Sequence, residues 1–278
     1  MKKYGNFKSI WILNIGFIIF SCASSVPVQQ ETVYRITDFS HVITLLQNNR
    51  ETSPRMIFSF SLLDAAGTAG DIKFIERQLY HGQTFQQYRN DVIQEWQDIY
   101  FECREYVESQ HTIPAVFNWE YIESMNFFLL KNRGMVVRRV IYEYSGGAHG
   151  LETVQYYVFD LADHRSLKLN EFFRDGVEQR LYSIILNELR RYNNLHSSIF
   201  LAENQPLSQG IFFDDDPALT DNFFINNEGL GLNWAPVSIA PYSEGSIEIL
   251  LPWRSLRPLL QHNMMELLEK FGIYMFMM

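Results

Sequence analysis

Apolar and polar positions along the chain follow patterns that assign most of its length to elements. The first apolar run, residues 10–20, is interrupted only by Asn14 and Gly16 and follows Lys2, Lys3 and Lys8. It has the length of a signal-peptide core and is too short to span a bilayer comfortably. Residues 33–48 carry scattered apolar positions that fit a strand or a short helix. Residues 55–63 alternate, with Ile57, Ser59 and Ser61 set against Phe58, Phe60 and Leu62. That spacing predicts a strand, closed by the small-residue loop 65–70. A short helix over 72–80 breaks at Gly82, and the clearest helix follows. Phe85, Tyr88, Val92, Trp96, Ile99, Cys103 and Tyr106 recur every three or four residues, a helical period. Thr84 with Gln87 predicts a capping box at its start, and Pro114 ends the helical stretch at 111–114.

From residue 121 to 161 the β-formers take over. Segments 125–130, 135–144 and 153–161, with a turn at 131–134, predict an antiparallel meander. Asp175 and Glu178 bracket the start of a second helix, whose apolar stripe is Val177, Leu181, Ile184, Ile185, Leu189 and Tyr192. A long loop with Pro206, Gly210 and the acidic run 214–216 leads to 223–225. Residues 226–229 (Asn-Asn-Glu-Gly) form a hairpin turn, after which Leu230, Leu232 and Trp234 alternate with Gly231 and Asn233. A strand at 246–251 precedes a closing helix over 255–271. Helices interspersed irregularly among antiparallel strands predict the α+β class.

The residues after the first apolar run change its meaning. Ile19-Phe20-Ser21-Cys22 followed by Ala23-Ser24-Ser25 resembles a lipobox, with Phe20 larger than the residue usual there. The expectation is a lipoprotein signal peptide at 1–21, cleaved before an acylated Cys22, and a polar tether at 22–31. An ordinary cleaved signal or a single membrane anchor are the alternatives. Cleavage removes three lysines and leaves 20 basic against 32 acidic side chains, a formal charge of −12 where the whole chain has −9. An acidic chain repels nucleic acid and bare anionic lipid and attracts basic partners. The other cysteine, Cys103, then has no disulfide partner. It lies on the apolar face of the predicted helix, where a buried, inert thiol is expected.

Candidate chemistry is sparse. No histidine pair has the i, i+4 spacing of a zinc helix, so no metal is expected. Asp214, Asp215 and Asp216, near Asp221 and Asn222, have calcium-binding oxygens but no EF-hand pattern, and read as a solvated acidic loop. No nucleophile elbow, phosphate loop or dinucleotide fingerprint is present, so neither a cofactor nor a catalytic residue is assigned. One segment stands apart between two predicted strands: Tyr142, Glu143, Tyr144, Ser145, Gly146, Gly147, Ala148, His149 and Gly150. Adjacent glycines permit positive φ, and such a loop either presents backbone amides and the His149 ring to a partner or is a tight structural turn.

That segment resembles the Tyr-Thr-Gly-Gly-Ala-His signature of the RsiV-like extracellular domain family. Members include lysozyme-sensing anti-sigma factors and domains preceding peptidoglycan deacetylases. The likeness continues through residues 159–161, the Leu167-Lys168-Leu169-Asn170-Glu171-Phe172-Phe173 segment, 223–225, 229–232 and the Ile239-Ala240-Pro241-Tyr242-Ser243-Glu244-Gly245 turn. It covers about residues 115–262. Membership implies two small α/β subdomains with antiparallel sheets packed against helices, at 32–150 and 151–278. It also implies a lysozyme-like muramidase or cell-wall material as partner. With few residues before the apolar run and no deacetylase-like segment after the matched part, neither a sigma-binding nor a deacetylase role is expected. The expected function is therefore a lipid-anchored, extracytoplasmic binding protein of the cell envelope that engages a basic muramidase or peptidoglycan and no nucleic acid. The alternatives are an envelope glycan hydrolase or a structural lipoprotein docked on another envelope protein.

Overall fold

A computed structural model of the chain describes residues 32–46, 53–66, 69–109, 115–131 and 133–275. The expected signal peptide, Cys22, the tether and the 111–114 stop lie outside the described residues. No helix among those described is long and apolar enough to cross a membrane.

Within the undecided 33–48 segment, residues 33–44 form a strand. β1 (Val33–Thr44) pairs antiparallel with β2 (Arg55–Ala66) along its whole length. α1 (Ala69–Leu79), α2 (Phe85–Glu102) and α3 (Arg104–Glu108) then carry the chain back to β3 (Trp119–Leu130). Because the helices return the chain to the same end of the sheet, β3 joins β2 in parallel, from Met56↔Trp119 to Ser59↔Ile122. Every other strand pairing among the described residues is antiparallel. β3, β4 (Gly134–Tyr144) and β5 (Leu151–Asp160) form the predicted meander, and the two-residue β6 (Arg165–Ser166) completes a six-stranded sheet in sequence order. A mixed α+β fold results, as the interspersed pattern predicts.

The capping box forms as its spacing requires. Thr84 accepts the Gln87 N–H while the Gln87 side chain accepts the Thr84 N–H. The helix does not run on to Tyr106, however: α2 stops at Glu102, and Cys103 caps it before α3. At the second long helix, α4 (Glu178–His196), the N-cap is Val177 and not Asp175. Gly176, at φ 77°, turns the chain there, and its N–H donates to the Glu178 carboxylate. The closing helix is also broken, into α5 (Trp253–Leu256), a 3-10 turn at Arg257–Leu259 and α6 (His262–Lys270). Pro258 has no N–H to continue a helical ladder, and Leu260 is drawn into a β-bridge with Phe173.

The second sheet comprises β7 (Phe223–Ile225), β8 (Gly229–Trp234) and β9 (Ile247–Pro252), all antiparallel. Its inner face packs with α4 and α6 around Leu189, Ile225, Leu251, Trp253 and Leu268. The other cluster holds Phe58, Phe60, Tyr100 and Trp119 beneath α1 and α2. β4 and β5 lie between the two: Met135, Val137 and Phe159 face one cluster, and Val136 and Val158 the other. Successive strand residues point to opposite faces, so where both faces are covered apolar residues follow one another without alternation, as at Met135-Val136-Val137 and Val158-Phe159. Residue 150, the expected subdomain boundary, falls between two strands paired from Gly134↔Asp160 to Glu143↔Leu151. Thr32–Met278 cluster as one compact unit.

Candidate functional site

The glycine loop and the Pro-Tyr turn, over ninety residues apart in sequence, meet. Gly146 and Gly147 hold φ of 96° and 95°, which reverses the chain between β4 and β5. A side chain at Gly146 would sit 3.0 Å from the Val116 carbonyl oxygen, so this glycine is also required for close approach. The Tyr144 hydroxyl donates to the Gly147 carbonyl at 3.1 Å and closes the loop on itself. Ser145, Gly147, Ala148 and His149 face solvent. Behind them Glu143 is half-buried; burial, reinforced by the nearby Glu95 carboxylate, raises its carboxyl above the ordinary range.

The partner turn is anchored from below. Ile239 and Ala240 are buried, Pro241 opens the 3-10 turn Tyr242–Glu244, and Gly245 at φ 64° releases the chain into β9. Tyr242, 44% exposed, donates its hydroxyl to the Gly150 carbonyl, and its ring stacks on His149 with centroids 5.7 Å apart and planes 25° from parallel. The outcome is an exposed His–Tyr pair on a backbone set by three positive-φ glycines.

Beside this surface lies a polar hub that periodicity does not disclose. The Asn222 amide donates to the Val154 carbonyl and accepts from the Tyr156 N–H, both at 2.7 Å, so it fills a ladder position on β5. Its nitrogen also reaches Asn233, which is buried and approaches Glu248 at 3.4 Å. Glu248 accepts the Tyr156 hydroxyl at 2.8 Å and closes the ring. Burial and that carboxylate push the Tyr156 phenol up to about 12. The hub borders a cavity of 630 Å³ between β5 and the loops 218–222 and 235–239.

A second network lies under α2. The Glu123 and Arg139 side chains, 0% and 2% exposed, pair at 2.9 Å. Tyr88 donates to Glu123 at 2.9 Å and exchanges a 2.6 Å hydrogen bond with Tyr121, and Arg139 stands over the rings of Tyr80 and Tyr88. Each charge has its partner on the adjacent strand, one reason both are tolerated in a core. Of the remaining candidates, Cys103 is half-buried and not fully enclosed; burial, with Glu102 adding to it, raises its thiol. Asp215 accepts hydrogen bonds from the Ser208 hydroxyl and N–H, which hold its carboxyl below the usual range. Among the described residues no group of three or more His, Cys, Asp or Glu side chains is placed to hold a metal ion.

With this geometry in place, comparison with known proteins gives one family. Residues 170–254 match the family described as "Protein of unknown function (DUF3298)". The matched DUF3298 segment includes α4, the second sheet and the Pro241–Gly245 turn. A crystal structure of a DUF3298 family member from Bacteroides fragilis is similar, with TM-score 0.69 and 18% identity over 87% of this chain and 96% of that one. A DUF3298 family protein from Pseudomonas aeruginosa aligns with TM-score 0.52 and 14% identity, over 83% of this chain and 96% of that one. At these identities the likeness concerns the fold. No curated protein matches the chain.

Proposed function

We infer that this protein is a lipid-anchored binding module of the cell envelope, and that its exposed His149–Tyr242 surface recognises a basic muramidase or cell-wall material. The observation that carries this reading is the convergence of the 144–150 loop and the 241–245 turn. Both are segments that resemble signatures of RsiV-like extracellular domains, and a turn serving only its own hairpin has no need of the other. The net charge of −9 supports a basic partner, because opposite net charge steers encounter. The lipobox-like residues ending at Cys22 support the anchor and an extracytoplasmic location.

The test is titration of the full-length protein with a basic muramidase and, separately, with insoluble peptidoglycan, at low and moderate salt. Saturable binding is expected to one of them. Double substitution of His149 and Tyr242 by alanine is expected to weaken it at least tenfold, which corresponds to about 1.4 kcal/mol. Absence of binding to both, or indifference to the double substitution, removes this reading.

A further inference from the structure

The outer edge of β5 is only partly covered. Asn222 bonds the Val154 carbonyl and the Tyr156 N–H, and Leu167 donates to the Val158 carbonyl, so residues 154, 156 and 158 turn backbone groups away from β4. Antiparallel ladders alternate in this way residue by residue, which places Glu152 in the same outward set. β6 covers only Phe159 and Asp160. Among the described residues the outward groups of Glu152 and the N–H of Val154 are therefore ladder positions without a partner, at the start of β5, whose residues 153–157 line the 630 Å³ cavity. That volume falls in the range of ligand sites. The Asn222 amide shows that this edge accepts a peptide-like partner at the next position along.

The rim of the cavity holds an uncommon backbone conformation. Ser238 donates to the Ala235 carbonyl at 3.2 Å across a turn with Pro236 second and Val237 third, and Val237 has φ 66°. These are the features of a type II turn, whose third position favours glycine. A β-branched residue with positive φ is strained, and here its side chain is 51% exposed. The strain therefore yields no burial; Ala235 and Ser238, which bracket this turn, line the groove, and Val237 does not. Charge adds the remaining constraint: Asp221 is the one charged side chain among the described residues in the wall, and the exposed Glu152 precedes the wall residue Thr153 in the chain.

We propose that this groove binds an extended cationic peptide segment, which adds as a strand to the Glu152–Val154 edge and places basic side chains near Asp221. Strand addition draws affinity from main-chain hydrogen bonds and specificity from alternate side chains. The proposal goes beyond the envelope-binding reading and does not rest on it, since none of these residues belongs to the 144–150 loop or the 241–245 turn.

The experiment is fluorescence anisotropy of the full-length protein with a labelled heptapeptide of alternating Lys and Val. The same peptide methylated on alternate backbone nitrogens, and a Glu/Val counterpart, serve as competitors. The Lys/Val peptide is expected to bind, with both competitors at least tenfold weaker. Glu152→Pro removes an outward N–H without touching a β4 bond. It is expected to weaken binding tenfold while the thermal midpoint stays within a few degrees. Failure of the Lys/Val peptide to bind overturns the proposal. So does equal competition by the methylated peptide, or self-association of the protein that Glu152→Pro abolishes, which would make a second copy the occupant.

Discussion

Gly146 and Gly147 share one conformation but not one environment. A Cβ at Gly147 would meet nothing within 4 Å, so Gly147→Ala carries only the backbone cost, about 1–2 kcal/mol. At Gly146 the same change adds a contact 3.0 Å from the Val116 carbonyl, and the loss should be larger. Urea unfolding of the two variants checks the order; equal losses would mean that the loop does not press on Val116. The adjacency of two glycines before a histidine is plain in the sequence, and so is their use in a chain reversal. Their neighbour Val116 is not, because it comes from a 3-10 turn ahead of β3. Asn222 is a similar case. Nothing local distinguishes it from other loop asparagines, and its task of pairing with β5 depends on partners 66 and 68 residues away.

At the scale of elements, the Glu123–Arg139 pair couples β3 to β4, and Tyr88 ties α2 to both. Burial opposes the charge on Arg139, but Glu123 outweighs it and holds the guanidinium protonated more firmly than usual. Arg139→Met should therefore cost about 3–5 kcal/mol, because it strands a buried carboxylate. Adding Glu123→Gln to that variant should recover part of the loss. A double-mutant cycle with thermal unfolding measures both, and simple additivity would refute the coupling. Element identity was largely legible beforehand, since alternation marked β2 and β8, helical spacing marked α1, α2 and α4, and Thr84 marked a start. Element ends were less so. The break at Pro258 follows from the bridge of Leu260 to Phe173, and the early stop of α2 from a turn at Cys103.

For the whole molecule, buried phenols make stability sensitive to alkali. Burial, followed by a nearby carboxylate, pushes Tyr34, Tyr121 and Tyr156 up to about 12, and burial drives Tyr80, Tyr88 and Tyr100 higher. An unfolded tyrosine ionises near 10. The stabilisation is thus complete below pH 10 and is lost as pH rises through 12, where the unfolded chain releases protons that the folded one retains. Phenolate absorbance and circular dichroism followed together should show these groups ionising only as the fold is lost; ionisation near pH 10 with the fold intact would contradict their burial. Features that depend on contiguous residues were legible in the sequence: strand and helix patterning, the Thr84–Gln87 cap, the 226–229 turn, net acidity and the α+β class. Only the tertiary structure decided the parallel β2–β3 pairing, the doubly covered β4–β5 hairpin, the stacking of His149 on Tyr242 and the open edge at Glu152. These are contacts between segments distant along the chain. Side-chain spacing reports which face of an element is apolar, but not which other element will come to lie against it.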